Sequence, residues 1–209
     1  VASKRPDKVV GMHYFSPVDK MQLLEVIPHE GTSNKTMASA VGMGLKQGKT
    51  VIVVKDVPGF YVNRCLGPVI IETLALLQDG IEIKRLNDCL TKFGMPVGPA
   101  SLFDEVGVDV GYHVAEYLSQ TMGARMTGGE LAMMKEMVDT NMLGRKTGGG
   151  FFTYKGKKKE INPAALELIK KHSVGRTQHK DLSDEDIGLR LMGRFVNEAA
   201  LCLQEGIIQ

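Results

Sequence analysis

The sequence is poor in cysteine: Cys65, Cys89 and Cys202 are odd in number, far apart and without a Cys-x-x-Cys pair. This excludes a disulfide framework and a cysteine-built zinc site, and points to a reducing compartment. An excess of charge of one sign is also missing. Lys and Arg number 26 against 24 Asp and Glu, a net charge of +2. A balanced chain without a basic face lacks the electrostatic footprint of a nucleic-acid binder. No apolar run approaches the roughly 18 residues that span a bilayer. The dinucleotide fingerprint Gly-x-Gly-x-x-Gly is absent, and Gly42-x-Gly44 falls inside a helical pattern instead of opening a helix after a strand. Gly148-Gly149-Gly150 lacks the Lys-Ser/Thr of a phosphate loop and does not sit between a strand and a helix. Neither an initiator Met nor an apolar signal core stands before the strand-like run Lys8–Phe15, and the last residues form a helix that stops at Gly206, so the chain reads as a segment excised from something larger. What is present is ordinary globular composition, with 43% hydrophobic residues, which excludes wholesale disorder. The 209 residues suffice for one domain and part of another, or for two small ones.

Val9–Phe15 and Leu23–Ile27 are apolar runs with β-branched or aromatic content and read as strands. The short, turn-rich connection between them (Ser16, Pro17, Asp19) cannot hold a parallel crossover, so the pair is expected to be antiparallel. Ser33 or Asn34 caps a helix that runs to about Gln47 and stops at Gly48. Thr50–Val54 is nearly all β-branched, the composition of a strand buried on both faces. Asp56-Val57-Pro58-Gly59 is a turn and a domain boundary. Beyond it, Val62, Leu66, Val69, Ile70, Leu74 and Leu77 give helical spacing up to Gly80. Helical patterns follow near 84–93, 103–121 and 130–141. A glycine-rich stretch (144–150) and a short extended piece (151–154) come next. Residues 155–182 are polar and basic and read as a linker, and a last helix runs from about Asp184 to Gln204. That helix repeats the first long one: Glu72, Leu77, Gln78, Gly80 and Ile81 recur at the same spacing as Glu198, Leu203, Gln204, Gly206 and Ile207. A duplicated helical domain is the expected cause.

Of the five histidines, His172 and His179 lie in polar sequence, His113 on a helix and His29 in a turn, where solvation or structure accounts for them. His13 is different, because it is a titratable ring inside an apolar strand and needs either a buried partner or a task. Glu25 is a lone carboxylate inside Leu23-Leu24-Glu25-Val26-Ile27 and needs a partner as well. If the hairpin pivots on Asp19, equidistant from both, they become cross-strand neighbours with Cβ atoms about 5 Å apart. A carboxylate that holds an imidazole fixes its tautomer and stabilises its cation, which is the physics of a general base. The competing reading is a structural ion pair. A metal site is disfavoured, because two ligands do not close a tetrahedron. Asn63, in the first turn of the long helix, is a poor helix-interior residue but a good hydrogen-bond donor at an interdomain junction. Lys155-Gly156-Lys157-Lys158-Lys159 reads as a solvated surface turn.

Three segments together resemble the L-3-hydroxyacyl-CoA dehydrogenase family. They are Gly11-Met12-His13-Tyr14-Phe15-Ser16-Pro17-Val18 with Leu24-Glu25-Val26-Ile27, Lys55-Asp56-x-Pro58-Gly59-Phe60-x-x-Asn63-Arg64, and Gly144-Arg145-Lys146-Thr147-Gly148-x-Gly150-Phe151. The separations of 12 residues from His13 to Glu25 and 38 from Glu25 to Asn63 fit the family pattern. The resemblance is strongest to its multifunctional branch, the dehydrogenase region of mitochondrial trifunctional-enzyme alpha subunits, which carries a second helical domain. It implies an α/β Rossmann-domain remnant (last strands and helix; 1–57) followed by an all-α C-terminal-type dehydrogenase domain (58–155), then a linker (156–182) and the first helix of a second helical copy (183–209). It further implies NAD as cofactor, a 3-hydroxyacyl-CoA substrate in fatty-acid β-oxidation, and an oligomer that can include a thiolase-type beta subunit. Mitochondrial residence is implied too. His13 would be the catalytic histidine, Glu25 its orienting carboxylate, Asn63 the amide that helps hold the substrate oxygen, and Ser16 a substrate contact beside the acyl chain. The glycine fingerprint and ribose-binding acid of the family would precede residue 1. The rival expectation is a non-catalytic acyl-CoA-binding or dimerisation module with a structural His-Glu pair. The truncated sheet is also expected to expose an edge strand.

Overall fold

The computed structural model describes residues 3–156 and 158–208. The chain divides into two compact units, residues 1–64 with 199–209, and residues 65–198.

In the first unit, β1 (Gly11–Tyr14) pairs antiparallel with β2 (Leu23–Ile27), which pairs parallel with β3 (Thr50–Val53). The parallel step is made by α1 (Asn34–Lys46), whose start is capped by Ser33 Oγ accepting from the Thr36 amide at 3.2 Å. Leu24, Val26 and Ala40 form the small core between sheet and helix, with Met12, Tyr14, Met37 and Val51 packed against it. The hairpin is therefore locked by alternation: Leu24 and Val26 point to α1, which sends Glu25 to the opposite face. The third strand departs from expectation. It is an edge strand among the described residues, with Val53 41% exposed, and not a strand buried on both faces. A β-branched run is shared by central and edge strands, so composition alone does not separate them. The Lys55 amide donates to Ile207 O at 3.0 Å and Lys55 Nζ to Glu205 O at 3.1 Å, which ties the chain after β3 to the C-terminal residues.

The second unit is helical. It holds most of α2 (Val62–Gln78), then α3 (Ile83–Phe93), α4 (Pro99–Val106), α5 (Val108–Met122), α6 (Ala132–Asp139), the hairpin β4 (Phe152–Lys155) and β5 (Lys158–Ile161), α7 (Pro163–His172) and most of α8 (Asp184–Gln204). Leu74, Leu76, Leu77, Leu86, Met133, Met134 and Phe151 lie in its fully buried core. The helix expected over 103–121 is two helices, broken at Gly107. The expected linker 156–182 carries β5 and α7 instead. Asn162 Oδ1 caps α7 by accepting from the Ala164 amide at 3.1 Å, Pro163 opens it, and Ala165, Leu168 and Ile169 turn inward. Its few apolar residues are diluted by Lys and Glu, which hides the period from a composition reading. The basic run belongs to the β4–β5 hairpin. Lys157 lies outside the described residues, and Lys159 is engaged, donating to Ser101 Oγ at 2.6 Å and lying 4.0 Å from the centre of the Phe152 ring.

The glycine-rich stretch is structural. The buried Asp104 carboxylate accepts from the Phe151 and Phe152 amides, both at 2.9 Å, and from the Tyr154 hydroxyl at 3.0 Å. Burial pushes the Asp104 carboxyl up from its ordinary value against these hydrogen bonds, and burial beside Asp104 pushes the Tyr154 phenol up as well. Gly150 passes so close that a Cβ there would stand 2.1 Å from Asp104 Oδ1.

Candidate active site

The antiparallel register sets His13 opposite Glu25. His13 Nδ1 lies 2.6 Å from Glu25 Oε2. Glu25 is wholly buried, whereas the imidazole keeps 28% of its surface. The second carboxylate oxygen, Oε1, accepts from the amides of Tyr61 at 3.1 Å and Val62 at 3.0 Å, where α2 begins. A helix start presents amides that the i→i−4 ladder does not use, and the positive end of the helix dipole favours the anion. Each oxygen of the buried carboxylate thus has a donor, which is the condition for keeping a charge there at tolerable cost.

A carboxylate only accepts, so pairing with one calls for the hydrogen on Nδ1, which in a neutral ring leaves the lone pair on Nε2. Nε2 is then the atom able to take a proton, and Glu25 stabilises the resulting imidazolium. The imidazole has two phenyl rings against it, Phe15 with centroids 4.6 Å apart and Phe60 at 5.7 Å. Asn63 is the second residue of α2, half-buried and next to Val62. Ser16 is exposed at the start of the β1–β2 loop. Lys49 braces that loop, donating from Nζ to Val18 O at 2.5 Å and Met21 O at 2.8 Å, and the Tyr14 hydroxyl donates to Gln47 Oε1 at 2.8 Å.

The other histidines show the contrast. His29 spends both ring nitrogens on the backbone: Nδ1 accepts from the Gly31 amide at 2.9 Å, and Nε2 donates to Pro6 O at 3.0 Å. His172 Nε2 lies 2.9 Å from Glu136, whose carboxyl is held below its ordinary value by Lys171 and His172. Among the described residues, no group of three or more His, Cys, Asp or Glu side chains is placed to hold a metal, and no helix is long and apolar enough to cross a membrane. Sequence reasoning missed the Tyr61 and Val62 amides, the Phe15 and Phe60 rings and the Lys49 brace. A buried carboxylate twelve residues after a histidine, with Pro-Gly opening a later helix, was the signal available for the amides.

Residues 1–57 match the model of the 3-hydroxyacyl-CoA dehydrogenase NAD binding domain, and residues 59–154 match that of the 3-hydroxyacyl-CoA dehydrogenase C-terminal domain. The chain belongs to the 3-hydroxyacyl-CoA dehydrogenase family. It is 47% identical over 207 residues to the fatty acid oxidation complex subunit alpha of Vibrio vulnificus, and 45% identical over 207 residues to that of Idiomarina loihiensis. Each alignment covers 99% of this chain and 28% of the relative, so the chain spans little more than a quarter of the curated relatives it matches. Among solved structures, (S)-3-hydroxybutyryl-CoA dehydrogenase from Ralstonia eutropha is 35% identical with a TM-score of 0.67, over 73% of this chain and 54% of that one. The dehydrogenase part of multifunctional enzyme 1 from C. elegans is 27% identical with a TM-score of 0.70, over 99% and 46%. The 3-hydroxybutyryl-CoA dehydrogenase from Escherichia coli shares the fold at a TM-score of 0.80 and 20% identity, over 100% and 60%. These findings support the family and a Rossmann remnant followed by a helical domain. They correct one expectation: mitochondrial residence, drawn from the resemblance, does not stand, because the relatives named here are from Vibrio and Idiomarina, bacteria that have no mitochondria.

Proposed function

We propose that this chain carries the proton-transfer half of an NAD-dependent (S)-3-hydroxyacyl-CoA dehydrogenase of fatty-acid β-oxidation. The observation that carries the reading is the buried Glu25 carboxylate, shared between His13 Nδ1 and two helix-start amides, beneath a partly exposed imidazole. In this reading His13 Nε2 takes the proton of the substrate 3-hydroxyl as the carbon–oxygen double bond forms and the hydrogen on carbon 3 leaves with its electron pair. Glu25 holds the ring in the receptive tautomer and stabilises its cation. Asn63 offers its amide to the substrate oxygen, and Ser16, on the loop braced by Lys49, lies toward the acyl chain.

NAD, when bound, supplies the hydride acceptor. The residues present do not fit its pyrophosphate. The strand-to-helix turn from β2 to α1 reads Pro28-His29-Glu30-Gly31-Thr32-Ser33, without a glycine-rich cradle, and its His29 is occupied by backbone partners. NAD binding therefore falls to polypeptide outside these residues, and the chain's own part is proton abstraction and substrate positioning. The organisation proposed is a Rossmann portion over 1–57, a helical domain from 58 and a second helical copy beginning near 183. The assembly proposed is an oligomer with a thiolase-type beta subunit as one partner; the relatives' designation as the alpha subunit of a fatty acid oxidation complex supports membership of a complex.

The test compares the isolated chain with the same chain joined to the family's NAD-binding half. The joined polypeptide is expected to oxidise (S)-3-hydroxyacyl-CoA with NAD, read as NADH absorbance, and the isolated chain is expected not to. No oxidation by a folded joined polypeptide contradicts the assignment and favours a non-catalytic acyl-CoA module. Equal rates from both contradict the division of labour.

A further inference from the structure

Among the described residues, two other than glycine have positive φ, Asn141 at 58° and Phe60 at 48°. Asparagine tolerates the left-handed region. A phenylalanine there is strained, and strain of this kind persists only where the surroundings impose it. Gly59, just before it, has φ 75°. The Phe60 amide closes the turn on Val57 O at 2.9 Å, and the Arg64 amide bonds Gly59 O at 3.0 Å as α2 starts. The two residues after Phe60 are those whose amides hold Glu25 Oε1. Its ring stands 5.7 Å from the His13 ring at 54°, and Phe15 stands at 4.6 Å and 52°. A glycine would adopt the same backbone freely, so the turn does not account for a phenyl group at this position.

We infer that Phe60 is a positioning residue. Its left-handed backbone aims the Tyr61 and Val62 amides at Glu25, and its ring, with Phe15, clamps the imidazole in the rotamer that faces the same carboxylate. One carboxylate bond leaves an imidazole free to swing out to water. Apolar walls remove that freedom and keep water from competing for Nδ1. The inference rests on the reading of His13 as the base. Its signature is a loss in the chemical step and not in binding.

In the joined polypeptide, Phe60→Gly is expected to lower kcat at least about 10-fold with KM for acyl-CoA and NAD within about 2-fold, as removal of an interaction needed in the transition state does. The fold is not expected to weaken in proportion, because glycine takes the left-handed turn without strain, and Phe60→Tyr, which keeps the ring, is expected to retain kcat. Should Phe60→Gly fail to fold, Phe60→Asn, which tolerates the left-handed backbone and removes the apolar wall, is expected to give the same split. In the isolated chain, the His13 ring-proton resonances are expected to lose the Phe60 share of their ring-current displacement in Phe60→Gly, the nearer Phe15 ring remaining, and to keep it in Phe60→Tyr. Unchanged kcat in the folded variant, or a loss that tracks only the folded fraction, overturns the inference. If His13→Gln keeps its turnover, the base assignment fails instead, and the ring-proton resonances still report on the clamp.

Discussion

Replacing His13 by Gln in the joined polypeptide is expected to lower kcat by about 10²- to 10⁴-fold, the range of general acid–base contributions, with KM for both substrates little changed. Gln is a suitable replacement for a physical reason. Its side-chain amide can donate to Glu25 Oε2 as the imidazole does, so the buried carboxylate is not stranded and the hairpin is not asked to bear an unpaired charge. The Tyr61 and Val62 amides still hold Oε1. What disappears is the basic nitrogen facing the substrate. Steady-state kinetics with unfolding monitored in parallel checks this. A variant that turns over at the parental rate would make the His13–Glu25 pair a structural ion pair. Truncating the carboxylate by Glu25→Ala is a less selective probe, because it also leaves two helix-start amides without their acceptor.

Gly150→Ala is expected to be severely destabilising for the helical unit. The added Cβ would stand 2.1 Å from Asp104 Oδ1 and 2.7 Å from Gly144 Cα, distances that ordinary contacts never reach. Relief requires Asp104 to move, yet its carboxylate holds the Phe151 and Phe152 amides and the Tyr154 hydroxyl. A buried network that loses its acceptor leaves several donors unpaired. A loss of about 3 kcal/mol or more is expected, in the class of disrupted buried networks. The control is Gly193→Ala in α8, where an added Cβ meets nothing within 4 Å. That change is expected to stabilise by about 0.5–1 kcal/mol through helix propensity alone. Urea unfolding of the isolated chain measures both. Equal effects at the two positions would show that the glycine-rich stretch is not held by Asp104.

The parts of the site that two-fold periodicity governs were legible in the sequence. A lone histidine and a lone carboxylate, each inside an apolar run and equidistant from a turn at Asp19, have one antiparallel register that pairs them, and Leu24 and Val26 pin that register by burying the other face. Asn63 was legible as an early residue of α2, because Pro58-Gly59 marks the turn before the helical period begins. The amides on Glu25 were not, since every residue carries an amide and only the turn decides where it points. Phe60 was hidden for the same reason: its left-handed backbone goes against residue preference, so local sequence argues against it. The edge position of β3 was hidden because strand order is a tertiary property. The helix in the supposed linker was hidden because a partly exposed helix with few apolar residues resembles a solvated segment until the Asn162-Pro163 start signal is given weight.

The most direct test of the His13–Glu25 assignment is the ¹⁵N spectrum of the His13 imidazole in the isolated chain, at a pH where the ring is neutral. Donation from Nδ1 to Glu25 predicts the Nδ1–H tautomer, with Nε2 unprotonated, and loss of that preference in Glu25→Ala. A neutral ring protonated on Nε2 in the parental chain would contradict it, because the nitrogen assigned to receive the substrate proton would already carry one.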